Sequence, residues 1–276
     1  MSPSVDSTRF KFENPAVSSR YDELLVPRLF QPWARLLLDQ LQLLPGEIVV
    51  DVATGPGTVA RLAAECVGTT GRVIATDISP LMLAVARSKP NSPGSAPLEY
   101  TECGAAPLLV ADAVGDAVCC QQGLQFFPDR LGALREMHRV LKPGGRVGIA
   151  VWDELTSCTV WLAYNRAFAA VGLDDLAQML LAPFSWGNLD SLRGALTAAG
   201  FPQVTAQTRS LPMVFEGGID QAFDALNGQP VGPAVAALPE ASRRRLREAL
   251  TEEMIPLVRD GRVRGTMSSH LAIARV

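Results

Sequence analysis

The feature that most constrains the fold of this chain is a regular alternation of short apolar runs and amphipathic segments over residues 45–152. The runs EIVVDV and GRVIATD are rich in β-branched residues, as is typical of buried parallel strands. Between these runs, Val59, Leu62 and Cys66 recur at the spacing of one helix face. Alternation of this kind predicts an α/β fold with a doubly wound, mostly parallel sheet.

Two apolar segments interrupt the alternation and divide the chain. Both are too apolar for solvated loops, so we expect them, with the N-terminal helices, to form a lid over the carboxyl edge of the sheet. Residues 1–20 are expected to be loosely structured, with a helix starting at Pro32. The predicted organisation is an N-terminal helical segment (1–44), an α/β core (45–152, continued at 187–215), two helical insertions (153–186 and 216–262) and a final core strand (263–276).

The charge and cysteine content of the chain limit the kinds of partner and compartment that it suits. The 276 residues carry a net charge of −3, so no global positive field attracts nucleic acid or an anionic membrane. Five cysteines without CxxC spacing predict reduced thiols in a cytoplasmic protein. The start, MSPSVDSTRFKFENP, lacks the apolar core of a signal peptide, and no apolar stretch nears the ~18 residues of a membrane span. No cluster of Asp, Glu and His suggests a metal.

A glycine turn follows the first predicted strand, in the sequence VVDVATGPGTVARLA. From Gly55 the letters GPGTVA fit the fingerprint G-x-G-x-x-G/A, and Asp77 lies 20 residues beyond Gly57. Glycines at such a turn let the backbone approach a nucleotide-like ligand, and an acid after the second strand can accept hydrogen bonds from ribose hydroxyls. A tight corner without a ligand would leave Asp77 unexplained.

Two residues in and before the turn bear on the kind of ligand. Pro56 has no N–H to offer a pyrophosphate, and Asp51 places a carboxylate at the end of the strand. A diphosphate would be repelled there, whereas a ligand with an ammonium and a sulfonium group would be favoured. S-adenosylmethionine is therefore preferred to NAD at this stage.

Three segments resemble successive motifs of class I S-adenosylmethionine-dependent methyltransferases: VVDVATGPGT, VIATDISPLMLAVAR and LQFFPDRLGALREMHRVLKPGGRVGIAVW. The chain is most similar to the small-molecule group typified by ubiquinone/menaquinone-biosynthesis C-methyltransferases, of the methyltransferase type 11 kind. The resemblance covers residues 20–152 and, weakly, 187–214. It implies a Rossmann-like, seven-stranded sheet with an antiparallel last strand, S-adenosylmethionine as cofactor, S-adenosylhomocysteine as product and no metal.

The resemblance also implies a set of cofactor contacts. Ala53 replaces the first glycine of the family motif D-x-G-x-G-x-G, a change expected to be tolerated if the backbone keeps a negative φ. Asp77 matches the ribose-binding acid and Ile78 the residue that packs on adenine. Gly104 stands where the family has an aspartate that reaches adenine, so backbone and packing are expected to hold the base. The predicted cofactor-binding residues are Asp51, Ala53, Gly55, Gly57, Asp77, Ile78, Gly104, Ala105 and Gln121.

Methyl transfer from a sulfonium asks mainly for proximity and in-line orientation, so the expected activity needs no invariant catalytic side chain. His270, in the predicted last strand, is a weak candidate for a general base. Acceptor contacts are predicted at the carboxyl edge, where Tyr21, Phe126, Trp152 and Trp186 would line one cavity for a flat, largely apolar molecule. Gln122 is predicted to join them.

Two other functions stay open from the sequence. A protein of the same fold could bind S-adenosylmethionine without methylating, either as a rearrangement or cyclisation catalyst or as a regulatory binding module. An NAD-dependent oxidoreductase would share the glycine turn, but no Tyr-x-x-x-Lys or similar proton-transfer pair is visible.

Overall fold

One mixed sheet forms the centre of the protein, in a computed structural model that describes residues 12–276. Its strands run in the order β3-β2-β1-β4-β5-β8-β6, and the short β7 pairs with β8. The strands are β1 (Ile48–Val52), β2 (Arg72–Asp77), β3 (Leu98–Glu102), β4 (Gly115–Gln121), β5 (Leu141–Trp152), β6 (Gln203–Phe215), β7 (Val258–Arg259) and β8 (Arg262–Arg275).

The first five strands are parallel, and β8 is antiparallel to both β5 and β6, between which it lies. This confirms the predicted sheet with its antiparallel last strand, and β7 adds a two-residue ladder that the sequence pattern does not signal. The central strands β1 and β4 are buried along nearly their whole length, which explains their continuous apolar character.

Helices cover both faces of this sheet. They are α1 (Pro15–Leu24), α2 (Gln31–Leu41), α3 (Thr58–Val67), α4 (Pro80–Ser88), α5 (Arg130–Val140), α6 (Thr159–Ala170), α7 (Asp174–Met179), α8 (Leu189–Ala198), α9 (Gly218–Asp224), α10 (Gly232–Ala236) and α11 (Glu240–Met254). Within residues 12–276, no helix is both long and apolar enough to cross a membrane.

Successive residues of one strand serve opposite faces, because side chains alternate along a strand. Val49 and Cys119 join the core beneath α2, α3 and α6, whereas Val50 and Cys120 join the core beneath α5 and α8. The two adjacent cysteines are therefore packing residues in separate layers, and burial raises the pKa of the Cys120 thiol to about 12.

The N-terminal segment is more ordered than the sequence suggested. Helix α1 begins at Pro15, where Asn14 caps it by accepting a hydrogen bond from the Ala16 amide at 2.9 Å. The expectation of loose structure is therefore wrong for the part of 1–20 from Pro15 onward, while residues 1–11 lie outside the described residues. A short π-helical segment, Val26–Phe30, then leads directly into α2.

The two insertions pack against each other beyond the sheet. Helix α6 of the first contacts α11 of the second, and the hydroxyl of Tyr164 donates to the carbonyl of Ala222 at 2.6 Å. Both insertions are mostly helical, and the long ladder of β6 and β8 flanks the second.

A buried ion pair fastens helix α2 to the amino edge of the sheet. Arg146 on β5 makes a two-pronged contact with Glu47, both N···O distances being 2.8 Å. The same guanidinium donates to the carbonyls of Leu41 and Gln42, where α2 ends. One side chain therefore satisfies the free carbonyls of a helix end and a nearly buried carboxylate.

We expect Arg146→Leu to lower the free energy of unfolding by about 3 kcal/mol, because it leaves Glu47 and two helix carbonyls without their partner. The exposed pair Arg72–Glu99 is a matched control, and Arg72→Leu should cost less than about 1 kcal/mol. Urea unfolding measures both variants. Equal losses would contradict the fastening role of Arg146.

Candidate cofactor and acceptor site

A cavity of about 790 Å³ lies at the carboxyl edge of the parallel strands. The turns after β1, β2 and β4 and the end of β5 form its floor. Strand β1 lies between β2 and β4, so the chain turns to opposite sides of the sheet at this point. Open α/β sheets bind ligands at such a switch point.

The two glycines of the turn after β1 have different tasks. Both have positive φ, +56° at Gly55 and +81° at Gly57. Gly55 lines the cavity, and a Cβ there would meet nothing within 4 Å. A Cβ at Gly57 would lie 3.1 Å from the Cβ of Ala86 and 3.1 Å from the Tyr100 hydroxyl. The predicted approach to a ligand therefore fits Gly55, whereas Gly57 permits packing of the turn on α4 and β3 and does not line the cavity.

Ala53 departs from its expected conformation. Its φ is +57°, in the left-handed region, so the condition under which the alanine was expected to be tolerated, a negative φ, is not met. The alanine keeps the backbone of the glycine that it replaces, at a cost of about 1–2 kcal/mol. Gly123 faces it across the turn: a Cβ on Gly123 would lie 2.7 Å from that of Ala53. The glycine at 123 thus leaves room for the methyl group at 53.

Asp77 joins two turns of the cavity floor. One carboxylate oxygen accepts from the Gly55 amide and the other from the Ser79 amide, each at 2.8 Å. Burial raises its pKa despite these hydrogen bonds. Each carboxylate oxygen has a further lone pair, so the side chain can still accept hydrogen bonds from a ligand in the cavity.

Asp51 lies beneath the turn and not in the cavity wall. The hydroxyl of Thr54 donates to it at 2.5 Å, and burial raises its pKa to about 7. A direct contact with a ligand, as the sequence suggested, does not fit this position. Asp51 instead supports the turn from below, because Thr54 lines the cavity.

The other predicted cofactor residues come together around the same floor. Ile78 is 75% exposed on the rim after β2, and Gly104 and Ala105 lie across from it in the loop after β3. Gln121 ends β4, and its amide nitrogen donates to the carbonyl of Phe30 at 3.0 Å. Gln122 follows with a positive φ of +57° and donates to the Ser269 hydroxyl at 3.0 Å.

An aromatic wall, formed by Tyr21, Phe30 and Trp152, also lines the cavity. The rings of Tyr21 and Phe30 lie 4.8 Å apart, those of Phe30 and Trp152 lie 6.1 Å apart, and Trp152 meets Trp33 edge-on at 5.7 Å. Tyr21, Phe126 and Trp152 line the cavity as predicted. Phe30 was missed, although its place just before the predicted helix at Pro32 brings it to the same edge.

Trp186 is not part of this wall. Its ring lies under the guanidinium of Arg130 at 4.9 Å and packs with the core beneath α5 and α8. The segment returning from the first insertion runs on the opposite face of the sheet, so the prediction that four aromatic residues share one cavity is wrong for Trp186.

His270 also does not line the cavity. It is buried within β8, with Nδ1 2.8 Å from the Thr208 hydroxyl and Nε2 3.3 Å from the Asp153 carboxylate. Only Nδ1 is hydrogen-bonded within residues 12–276, and because the ring is buried in the sheet and does not line the cavity, the geometry gives no support to His270 as a general base. In the part of the chain that the structure describes, no group of three His, Cys, Asp or Glu side chains could hold a metal ion.

Solved structures share this architecture over most of the chain. A putative methyltransferase from an antibiotic biosynthesis pathway of Anabaena variabilis superposes with a TM-score of 0.62 at 16% identity, covering 87% of this chain and 96% of that one. The complex between the Haloferax volcanii Trm112 methyltransferase activator and a putative methyltransferase gives 0.58 at 20% identity, covering 96% and 98%. At these identities the likeness shows the fold alone, a Rossmann-like α/β fold that these putative methyltransferases share.

Sequence comparison then identifies the family. Residues 7–182 match the ubiE/COQ5 methyltransferase family, and the chain belongs to it. The ubiquinone/menaquinone biosynthesis C-methyltransferase UbiE of Xanthomonas campestris is 36% identical over 146 residues, which span 51% of this chain and 58% of that enzyme. The match thus covers only a little over half of the relative's length.

The buried acid beneath the turn should give stability a distinctive pH dependence. Asp51 keeps its proton in the folded protein up to about pH 7, whereas the unfolded chain releases it near the ordinary value of 3.8. The free energy of unfolding should therefore fall as pH rises through this window, by at most about 1.4 kcal/mol per pH unit.

Asp51→Asn removes this titration and keeps an acceptor for Thr54. We expect the wild-type protein to lose stability relative to Asp51→Asn between about pH 4 and about pH 7, with a constant difference above that range. Urea unfolding at several pH values measures this difference. Parallel profiles over the window would show that Asp51 ionises normally.

Proposed function

We propose that this protein transfers a methyl group from S-adenosylmethionine to a small, largely apolar organic acceptor by in-line displacement. One observation carries the proposal: the glycine turn and Asp77 line the same cavity as Tyr21, Phe30 and Trp152. Family membership supports methyl transfer as the reaction. When bound, the cofactor supplies an electrophilic methyl group on a sulfonium.

The residues at the cofactor end fit this molecule. The open Cβ position of Gly55 leaves space for close approach to the backbone, and Asp77 offers acceptors for ribose hydroxyls. Ile78 presents an exposed apolar side chain on which adenine would pack. Gln121 would accept from the methionine ammonium, since its side-chain oxygen is buried and has no hydrogen-bond partner among residues 12–276. Gly104 and Ala105 would contact adenine through their backbone.

Charge in the cavity supports the same assignment. Its described lining includes the acids Glu13, Asp77 and Asp129 and no Lys, Arg or His. A cationic sulfonium and ammonium suit such a site, whereas the pyrophosphate of a dinucleotide would find acids and no balancing cation. This argues against the NAD-dependent oxidoreductase.

The chain's own contribution to the reaction would be position and exclusion of water. Tyr21, Phe30 and Trp152 would hold a flat acceptor against the methyl group and keep solvent out. Proximity and orientation can supply about 7–11 kcal/mol of the barrier reduction. No histidine of the described chain lines the cavity, so the proposal places no protein histidine in the role of general base.

The acceptor class follows from the relatives only by analogy. Several relatives are named for ubiquinone and menaquinone biosynthesis, so we propose a reduced quinone or a similar flat aromatic compound. The predicted organisation, with the N-terminal helices and both insertions as a lid, remains a proposal, as does a cytoplasmic location. A binding protein that does not methylate is not favoured, because the family match is to methyltransferases.

Incubation with S-adenosylmethionine and 1,4-naphthohydroquinone tests the reaction. We expect S-adenosylhomocysteine and a product heavier by one methylene in equal amounts, as mass spectrometry would detect. If the protein binds S-adenosylmethionine but does not consume it with this or other reduced quinones, the result would contradict methyl transfer and support a binding protein that does not methylate.

Asp77→Ala should weaken S-adenosylmethionine binding about 10- to 100-fold, because charge-assisted hydrogen bonds worth about 1.5–3 kcal/mol are lost. Glu102→Ala is the matched control, since Glu102 lies opposite Asp77 in the ladder of β2 and β3, is exposed and does not line the cavity. Calorimetry measures both affinities. An unchanged affinity in Asp77→Ala would remove Asp77 from the cofactor site.

A further inference from the structure

Two buried side chains in the cavity lining carry polar atoms without a partner in the described chain. Gln229 is 1% exposed, and neither its amide nitrogen nor its amide oxygen has a hydrogen-bond partner among residues 12–276. Trp161 is 4% exposed, and within the same residues its indole N–H is also unpaired. Both residues belong to the insertions and line the cavity.

Gln229 is held firmly by its backbone. Its amide N–H donates to the carbonyl of Leu226 at 3.0 Å, and its carbonyl accepts from the amide of Gly232 at 2.8 Å. The preceding residue, Gly228, lies tightly against helix α1: a Cβ there would be 2.9 Å from the Arg20 carbonyl and 3.1 Å from the Tyr21 Cα. The side-chain amide is therefore presented from a rigid turn beside Tyr21 of the aromatic wall.

Trp161 is fixed from the other insertion. Its ring meets Tyr164 edge-on at 5.7 Å, and Tyr164 in turn donates to Ala222. Helix α6, which carries Trp161, is thus tied to the segment that leads to Gln229. The indole N–H of Trp161 and the side-chain amide of Gln229 are therefore carried by two segments that are hydrogen-bonded to each other.

Buried polar atoms are almost always hydrogen-bonded, because leaving them unpaired is unfavourable. A side chain such as Leu would fill the volume of Gln229 without that penalty. A site that binds a polar ligand atom needs polar groups that are held rigidly in the cavity wall and are not already hydrogen-bonded to the protein. Gln229 and Trp161 meet both requirements. The absence of Lys, Arg and His from the described lining argues that this ligand is not an anion.

We propose that Gln229 and Trp161 recognise the acceptor. The side-chain amide nitrogen of Gln229 and the indole N–H of Trp161 donate to a carbonyl or hydroxyl oxygen of the acceptor, and the side-chain oxygen of Gln229 accepts from a hydroxyl. The acceptor is then an uncharged, flat molecule bearing oxygen at its edge. This inference rests on the proposed function and adds to it the residues that select the acceptor.

Binding to the protein saturated with S-adenosylhomocysteine tests this assignment, with 1-naphthol, naphthalene and 1-naphthoate as probes. Wild-type protein should bind 1-naphthol about 10-fold more tightly than naphthalene, as one or two hydrogen bonds to buried groups imply. It should bind 1-naphthoate more weakly than 1-naphthol. Fluorescence titration measures all three.

Gln229→Leu should abolish the preference for 1-naphthol over naphthalene. Trp161→Phe removes the indole N–H together with part of the ring and should reduce this preference. Gln178→Leu is the matched control, because Gln178 is exposed on α7 outside the cavity and should keep the full preference. Gln229→Leu should melt no lower than the wild type in the absence of ligand, since an apolar side chain of similar size replaces an unpaired amide.

Three results would overturn the inference: equal binding of 1-naphthol and naphthalene by the wild type, an unchanged preference in Gln229→Leu, or tighter binding of 1-naphthoate. If Gln229→Leu unfolds, its amide is structural, and the preference in Trp161→Phe then decides. Failure of the wild type to bind S-adenosylhomocysteine would instead count against the proposed function, so the two failures are distinguishable.

Discussion

The site depends on the path of the chain at β1. Because β2 lies on one side of this strand and β4 on the other, the turns that follow β1, β2 and β4 diverge and leave a crevice at the carboxyl edge. Asp77 keeps the crevice in shape by bonding the backbone of two of these turns. The N-terminal helices and the insertions add Tyr21, Trp161 and Gln229 to the lining of a crevice that the sheet itself creates.

Much of the fold could be predicted, because buried parallel strands are apolar on both faces and stand out as short continuous runs. The glycine turn and the acid after β2 were also readable from spacing. The conformation of Ala53 could not be predicted from the spacing of residues, because its φ is set by the surrounding turn and not by the residue itself. Here the positive φ persists in a residue that disfavours it, and Gly123 supplies the space.

The errors in the acceptor site have a common physical origin. Trp186 and His270 were placed near the carboxyl edge by their distance along the chain from a strand end, which does not say which face a side chain meets. Gln229 and Trp161 were missed because helical insertions carry no periodic signal for a cavity wall. Both side chains stand out because their buried polar atoms have no hydrogen-bond partner, and this is visible only in the folded arrangement of residues 12–276.

The ladder of β6 and β8 has a consequence for how such a protein can diversify. These strands pair from Gln203 opposite Arg275 to Phe215 opposite Val263, so residues 216–262 form the loop of one long antiparallel hairpin. The entropy of closing a loop grows only slowly with its length. Segments of different length and sequence could therefore be exchanged at this point with little effect on the sheet. The hairpin therefore lets the segment that contributes Gln229 to the cavity lining change while the turns at the carboxyl edge of the sheet stay constant.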